Sequence, residues 1–278
     1  MDARGRPLVV SLIAVGLAGS AVAEEPVPAD WRIERIDREL HAPPGVPLAI
    51  RNRWGDVRVR AGETERVRVH AVVQHHAEDP RAVAVEGAEA AGTLRLDVSW
   101  PADESSTPGA WARRRVDLAV EVPAHRDLRI QTEAGLIEVK GHAGPLQAES
   151  AAGDLRLRVA GGPLHARTER GSILAVLAAE SWNQAARFEA PSGDIEVQFP
   201  ARTDASVVLE TQGALTTDFS LEVEHVGPLA KRARARLGRG GSEVLLHSRR
   251  GDLRILLLAA APAPSGSGNP KGPGRDVR

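Results

Sequence analysis

Residues 149–159, ESAAGDLRLRV, place a small hydroxyl residue three positions before a glycine and aliphatic residues two and four positions after it. The same phrase returns as RTERGSILAV (167–176), EAPSGDIEVQ (189–198) and HSRRGDLRIL (247–256). With the glycine as reference, it recurs at Gly55, Gly135, Gly153, Gly171, Gly193, Gly213 and Gly251. Leu128, Ile130 and Thr132 precede Gly135 by seven, five and three residues, and Ile137 and Val139 follow it by two and four. The Gly213 unit fits with one turn residue fewer, behind Val207, Leu209 and Thr211.

Alternating aliphatics are the mark of a half-buried strand. In an unbroken strand the inward parity would not change, yet here inward positions jump from three before the glycine to two after it. The chain must bend there while keeping one side toward the core. Glycine is expected to supply a positive φ at the bend, and the small polar residue before it to bond backbone groups freed in the turn. Successive glycines from Gly135 to Gly213 lie 18, 18, 22 and 20 residues apart, within the range of stacked repeats. The fold class this predicts is all-β, with a repeat-built right-handed β-solenoid or β-helix in the C-terminal part and an N-terminal β-sheet cap. A meander of hairpins satisfies the same parity.

The remaining segments fill in the organisation. Residues 1–23 have the layout of a secretory signal peptide: Arg4 and Arg6, an apolar run from Leu8 to Leu17, and Ala21-Val22-Ala23 before Glu24. The run is too short to span a bilayer, which takes roughly 20 residues. Residues 24–123 read as the cap with the first repeat, 124–258 as the solenoid, and 259–278 as a disordered Pro/Gly-rich tail. Within the cap, residues 79–91 are the best candidate for a helix, weakened by Gly87, and residues 101–111 read as a loop. KRARARL (231–237) alternates as a strand with an arginine-bearing exposed face.

Removing the leader takes away two Arg and one Asp, moving the formal charge from −1 to −2. So neutral a chain lacks the basic balance of nucleic-acid binding. It has no cysteine, so neither disulfides nor attachment through a lipidated cysteine is available.

The series from VPAHRDLRIQTEAGLIEV (122–139) through LQAESAAGDLRL, LHARTERGSILA and FEAPSGDIEV to the Gly-rich RLGRGGSEVLLHSRRGDLRI (236–255) resembles a bacterial β-strand-repeat domain family of unknown function, related to candidate adhesins and the head domains of autotransporter adhesins. The resemblance covers about residues 40–258. It implies an exported, envelope-associated β-solenoid and no catalytic residues.

Among candidate chemistries, Asp56, Asp154, Asp194 and Asp252 follow their glycines and bear comparison with calcium-binding β-rolls. No two consecutive units along the sequence both carry Asp, which favours turn-capping over a cation column. His70, His75 and His76 beside Glu78 and Asp79 form the one histidine cluster, but adjacent strand residues face opposite ways. No nucleophile elbow, zinc motif or phosphate loop occurs. Trp100 and Trp111 bracket the polar loop, and with Arg113, Arg114 and Arg115 they form the candidate ligand surface, suited to glycans because aromatic faces and arginines make good anchors.

The expected protein is non-enzymatic and exported to the periplasm or cell surface, with a structural or adhesin-like role. No cofactor or metal is expected, nor a transmembrane segment in the mature chain. The expected partner is an unidentified protein or glycan of the envelope. A carbohydrate-active enzyme on a β-helix and a regulatory or sensory module of envelope stress are the alternatives.

Overall fold

The computed structural model describes residues 31–76, 83–100 and 114–259. The leader, Trp111, Arg113 and nearly all of the expected tail lie outside these residues. The described residues form strands, turns and loops without a helix. The N-terminal part supplies β1 (Trp31–His41), β2 (Leu48–Trp54), β3 (Val57–Gly62), β4 (Arg66–His76), β5 (Ala84–Ala90), β6 (Thr93–Ser99) and β7 (Arg115–Pro123). The tight repeats supply β8 (Leu128–Ala134), β9 (Ile137–His142), β10 (Leu146–Ala152), β11 (Leu155–Val159), β12 (Leu164–Thr168) and β13 (Ile173–Leu177). Next come β14 (Ser181–Trp182), β15 (Ala186–Glu189), β16 (Ile195–Phe199), β17 (Arg202–Thr203), β18 (Ala205–Thr211) and β19 (Leu215–Thr217). The chain closes with β20 (Glu222–Val226), β21 (Ala230–Leu237), β22 (Ser242–His247) and β23 (Leu253–Leu257).

These strands build two large mixed sheets. The first runs β1-β4-β7-β3-β9-β11-β13-β16-β23-β19, and the second β20-β21-β18-β22-β15-β12-β10-β8-β2-β6-β5. Through the repeats the chain alternates between them, one strand in the second sheet before each glycine and one in the first sheet after it. Leu146 lies between Leu128 and Leu164 in parallel register, and Leu155 between Ile137 and Ile173. Like positions of successive repeats are therefore neighbours, and consecutive strands of the repeats do not pair as hairpins. The inward rows, such as Leu48, Ile50, Leu128, Ile130, Leu155 and Leu157, are almost wholly buried. Each such side chain contributes roughly 1.5–3 kcal/mol by leaving water, and the core runs unbroken between the sheets.

The N-terminal strands extend both sheets; they do not make a sheet of their own. β2 and β3 pair in parallel with β8 and β9, and β6 and β7 pair in parallel with β2 and β3 on the far side. Only the outermost β1, β4 and β5 run antiparallel to their neighbours. The expected helix near residues 79–91 is corrected for its described part. Val83 and Val85 point into the core and the chain continues as β5, since Gly87 and the alternating valines suit an edge strand. At the other end β18 lies between β22 and the antiparallel β21, whose Ala233, Ala235 and Leu237 face inward.

The seven glycines form one column, but not for the reason expected. Gly55, Gly135 and Gly153 have φ of 119°, 145° and 153°; Gly171, Gly193, Gly213 and Gly251 have no positive φ. What all seven share is proximity. A Cβ on Gly153 would stand 2.0 Å from the Gly135 carbonyl oxygen, and one on Gly193 would stand 1.9 Å from that of Gly171. The column reads Gly55, Gly135, Gly153, Gly171, Gly193, Gly251, Gly213 in space, so the last unit of the sequence is inserted before the Gly213 unit. Past Gly55 the place is taken by Val116, the outermost member among the described residues.

The polar residue three positions before the glycine, or two in the Gly213 unit, does the expected work in several units. Thr168, Ser248 and Thr211 donate from their hydroxyls to the carbonyls of Gly153, Gly193 and Gly251, at 2.8, 3.0 and 2.6 Å. Asn52 donates to the carbonyls of Gly55 and Val116.

Candidate ligand-binding surface

Sheet pairing places outward side chains in rows about 4.8 Å apart. Across the second sheet, one row reads Arg51, Gln131, Glu149, Arg167, Glu189, His247, Glu210 and Arg232. Cations and carboxylates nearly alternate, and they pair. Gln131 donates to Glu149 at 3.3 Å, Arg167 meets Glu189 at 3.3 Å, and Arg232 meets Glu210 at 2.7 Å. Glu189 is 9% exposed and also holds Arg187 at 2.5 Å. Burial pushes its carboxyl up, but Arg187, His165 and Arg167 outweigh burial and hold it below the ordinary glutamate value.

Where this row meets the glycine corner, the sheet carries a groove of about 430 Å³. Its polar walls come from Arg51, Arg53, Glu133, Glu149, Arg167 and Glu169. Three arginines against three glutamates leave it close to neutral. Arg53 bridges to Glu133 at 3.0 Å, and Arg167 to Glu169 at 2.5 Å. Arg53 also stands over the Trp54 ring, its guanidinium carbon 4.4 Å from the centroid. Trp54 in turn meets Trp100, with ring centroids 5.6 Å apart and a tilt of 53°. Arg53, one wall of a groove lined with planar donors and acceptors, is thus backed by an aromatic pair that does not itself line the groove.

The sequence-derived surface is only partly brought together. Trp111 and Arg113 lie outside the described residues. Trp100 is half-buried against the core beside Trp54. Arg114 immediately precedes β7, and Arg115 is a partly exposed cation that is already paired: it meets Asp117 at 2.6 Å and Asp56 at 3.4 Å. The hydrogen bond to Asp117, helped by the nearby charges, raises its guanidinium above the ordinary arginine value against the opposing effect of burial. Trp54 and Arg53 went unassigned by sequence reasoning, although a signal existed. LAIRNRW (48–54) and LRLDVSW (94–100) share their aliphatic spacing and final Trp, and the structure pairs Leu48 with Leu94 and Ile50 with Leu96.

The aspartates beside the glycines serve the backbone. Asp56, Asp154, Asp194 and Asp252 each accept, through Oδ1, the backbone N–H of Leu136, Ser172, Asp252 and Ala214 respectively, at 2.8–3.1 Å. The expectation that no adjacent units both carry Asp is corrected. Insertion of the Gly251 unit beside the Gly193 unit makes Asp194 and Asp252 neighbours. His70 meets Asp37 at 2.6 Å on the outer face and His75 meets Glu34 at 3.1 Å on the buried face; the expected divergence of His75 from His76 concerns a side chain outside those described. Glu78 and Asp79 lie outside the described residues. Among the described residues no three His, Asp or Glu side chains converge to hold a metal, and no helix is long and apolar enough to cross a membrane.

No family model matches this chain, and no curated protein matches it in sequence. Two solved structures are similar in shape. One is a candidate cell adhesion protein from Clostridium sporogenes, 10% identical, with a TM-score of 0.45 over 82% of this chain and all of that one. The other is a candidate adhesin from Bacteroides fragilis, 11% identical, with a TM-score of 0.31 over 81% of this chain and 97% of that one.

Proposed function

We propose that this chain is a non-enzymatic exported protein of the bacterial envelope, with an adhesin-like role in which a rigid β surface holds a polar ligand, a glycan in the first instance. Its two-strand units are coils of a right-handed β-solenoid. The alternation between sheets and the parallel registers support the coil, and the strong right-handed preference of parallel crossovers supports the hand. The observation that carries binding is the groove itself, lined by a nearly neutral set of arginines, glutamates and Gln131, with Arg53 seated on the Trp54 ring. Such a set matches sugar hydroxyls, which donate and accept at once.

Binding without turnover is supported by the engagement of the groove carboxylates: Glu133 with Arg53, Glu149 with Gln131 and Gln147, Glu169 with Arg167. A general acid or base needs a side chain free to reach the reacting atom, and these three are held by their neighbours.

The test is a glycan array and a peptidoglycan pulldown with the chain from Glu24, alongside Trp54→Ala. Retention by a defined glycan that falls roughly tenfold or more in the variant supports the reading. Silence on every glycan, or equal retention by both proteins, removes the groove as a sugar site and directs attention to a protein partner.

A further inference from the structure

The edges of the two sheets differ in how they are guarded. β19 has three residues, β20 five, and β5 carries Gly87, over which Leu40 of β1 folds. β1 is unlike these: eleven residues, no Pro or Gly, and an unbroken antiparallel register with β4 from Trp31↔His76 to His41↔Arg66. Among the described residues no strand lies on its other side. A long, regular edge is a template for another strand. We propose that its occupant is β1 of a second copy of this chain, paired antiparallel about a two-fold axis through Ile36, so that two ten-stranded sheets become one.

Charge selects both partner and register. In a two-fold antiparallel pair, opposite residues share a face, so the axis passes through a residue of β1. Centred on Ile36, WRIERIDRELH sets Arg35 against Asp37 of the second copy and Glu34 against its Arg38, each twice by symmetry, with Ile36 against itself. That register also overlaps the whole strand. Neighbouring registers oppose a charge to itself: Glu34, Arg35, Asp37 or Arg38 would stand on the axis. Opposite charges across strands stabilise and like charges destabilise, so the sequence around Ile36 is complementary to itself in one register.

The state of these groups within one copy agrees. Arg32, Arg35 and Arg38 meet no carboxylate among the described residues, while Glu34 and Asp37 have histidines, His75 and His70, as their ion partners. Ile33 is 46% exposed and Ile36 half-buried, so apolar surface waits on both faces of the strand. The pairing concerns an end of the sheets and stands whether or not the groove binds a glycan.

Sedimentation equilibrium on the purified chain tests it, with Arg35→Asp, Asp37→Arg and the double exchange. A dimer is expected. Each single reversal should weaken it at least tenfold by setting like charges opposite, and the double exchange should restore it to within about threefold. Thermal melts confirm that each variant folds. Because the chain has no cysteine, Ile36→Cys should give a covalent dimer on mild oxidation while Ile33→Cys, opposite Glu39, should not. A monomer at every concentration, a dimer indifferent to the single reversals, or a folded double exchange that stays monomeric overturns the proposal.

Discussion

The two corners of each repeat are held by different means. At the glycine corner, the chain from three residues before the glycine to two after it keeps its length in six units and is one residue shorter in the Gly213 unit. There the backbones nearly touch, and small side chains complete the bonding. The opposite corner varies. Between β13 and β15 it admits β14 with Trp182, 1% exposed, whose Nε1 donates to the Gln184 carbonyl at 2.9 Å. Between β16 and β18 it admits β17, which pairs with β14. Backbones meet here too, at Gly162 over Gly144 and at Gly144 over His125, but large side chains hold the parts that vary. Arg126 reaches back to the carbonyls of Ala42, Pro43 and Val46, and His142 is fully buried with Nε2 3.2 Å from the Pro145 carbonyl. A corner closed by backbone varies by no more than one residue; one closed by side chains can grow as long as something fills it.

The sharpest way to break this contrast is Gly153→Val. A β-branched residue at φ 153°, with its Cβ 2.0 Å from a backbone carbonyl, must push two units apart. A loss of about 4 kcal/mol or more is expected in denaturant unfolding, if the variant folds at all. An unchanged midpoint would mean that the column does not set the spacing.

Arg126→Ala probes the other corner. It leaves three carbonyls without their donor, and burial already lowers the pKa of this guanidinium. The expected loss is about 2–3 kcal/mol, with the fold retained. A value as large as that for Gly153→Val would erase the distinction.

The smallest effect is pH-dependent. Burial depresses the His142 pKa below its ordinary 6.5, against the opposing pull of the backbone bonds it makes. The unfolded chain therefore takes up the proton first. The contribution of His142 is complete above about pH 6.5 and is lost as pH falls from there toward the depressed folded value. Melting temperature should drop more between pH 7 and 5.5 in the parent than in His142→Gln. Parallel curves would show that this corner does not open to protonate.

Strand positions were legible because aliphatic parity repeats around every glycine, and even the shortened Gly213 unit carries Thr211 in its working place. Stacking order was not legible. Nothing in the residues around Gly251 says that β22 and β23 enter beside β15 and β16 ahead of β18 and β19, since all these strands present similar aliphatic rows. The Asp194–Asp252 adjacency was hidden with it. The unit of β6 and β7 escapes the glycine pattern because Val116, outermost among the described residues, occupies the place where inner neighbours need glycine. Without that unit nothing in the sequence links Trp54 to Trp100, and the ring that backs Arg53 has no visible partner.

The inserted order of the last units bears on how the chain acquires its structure as it emerges N-terminus first. Each repeat up to Gly193 can dock on the one before it as soon as it appears. β18 cannot, because its place is one strand further out than the growing edge; it can pair with β21 as a local antiparallel hairpin and wait. β22 and β23 are then a keystone, the final strands to arrive and the ones that join the waiting hairpin to the stack. Until they arrive the β15 and β16 edges stay open, and unpaired edges in an incomplete chain are where misassembly begins. A chain stopped short of residue 242 would therefore lose more than its missing strands.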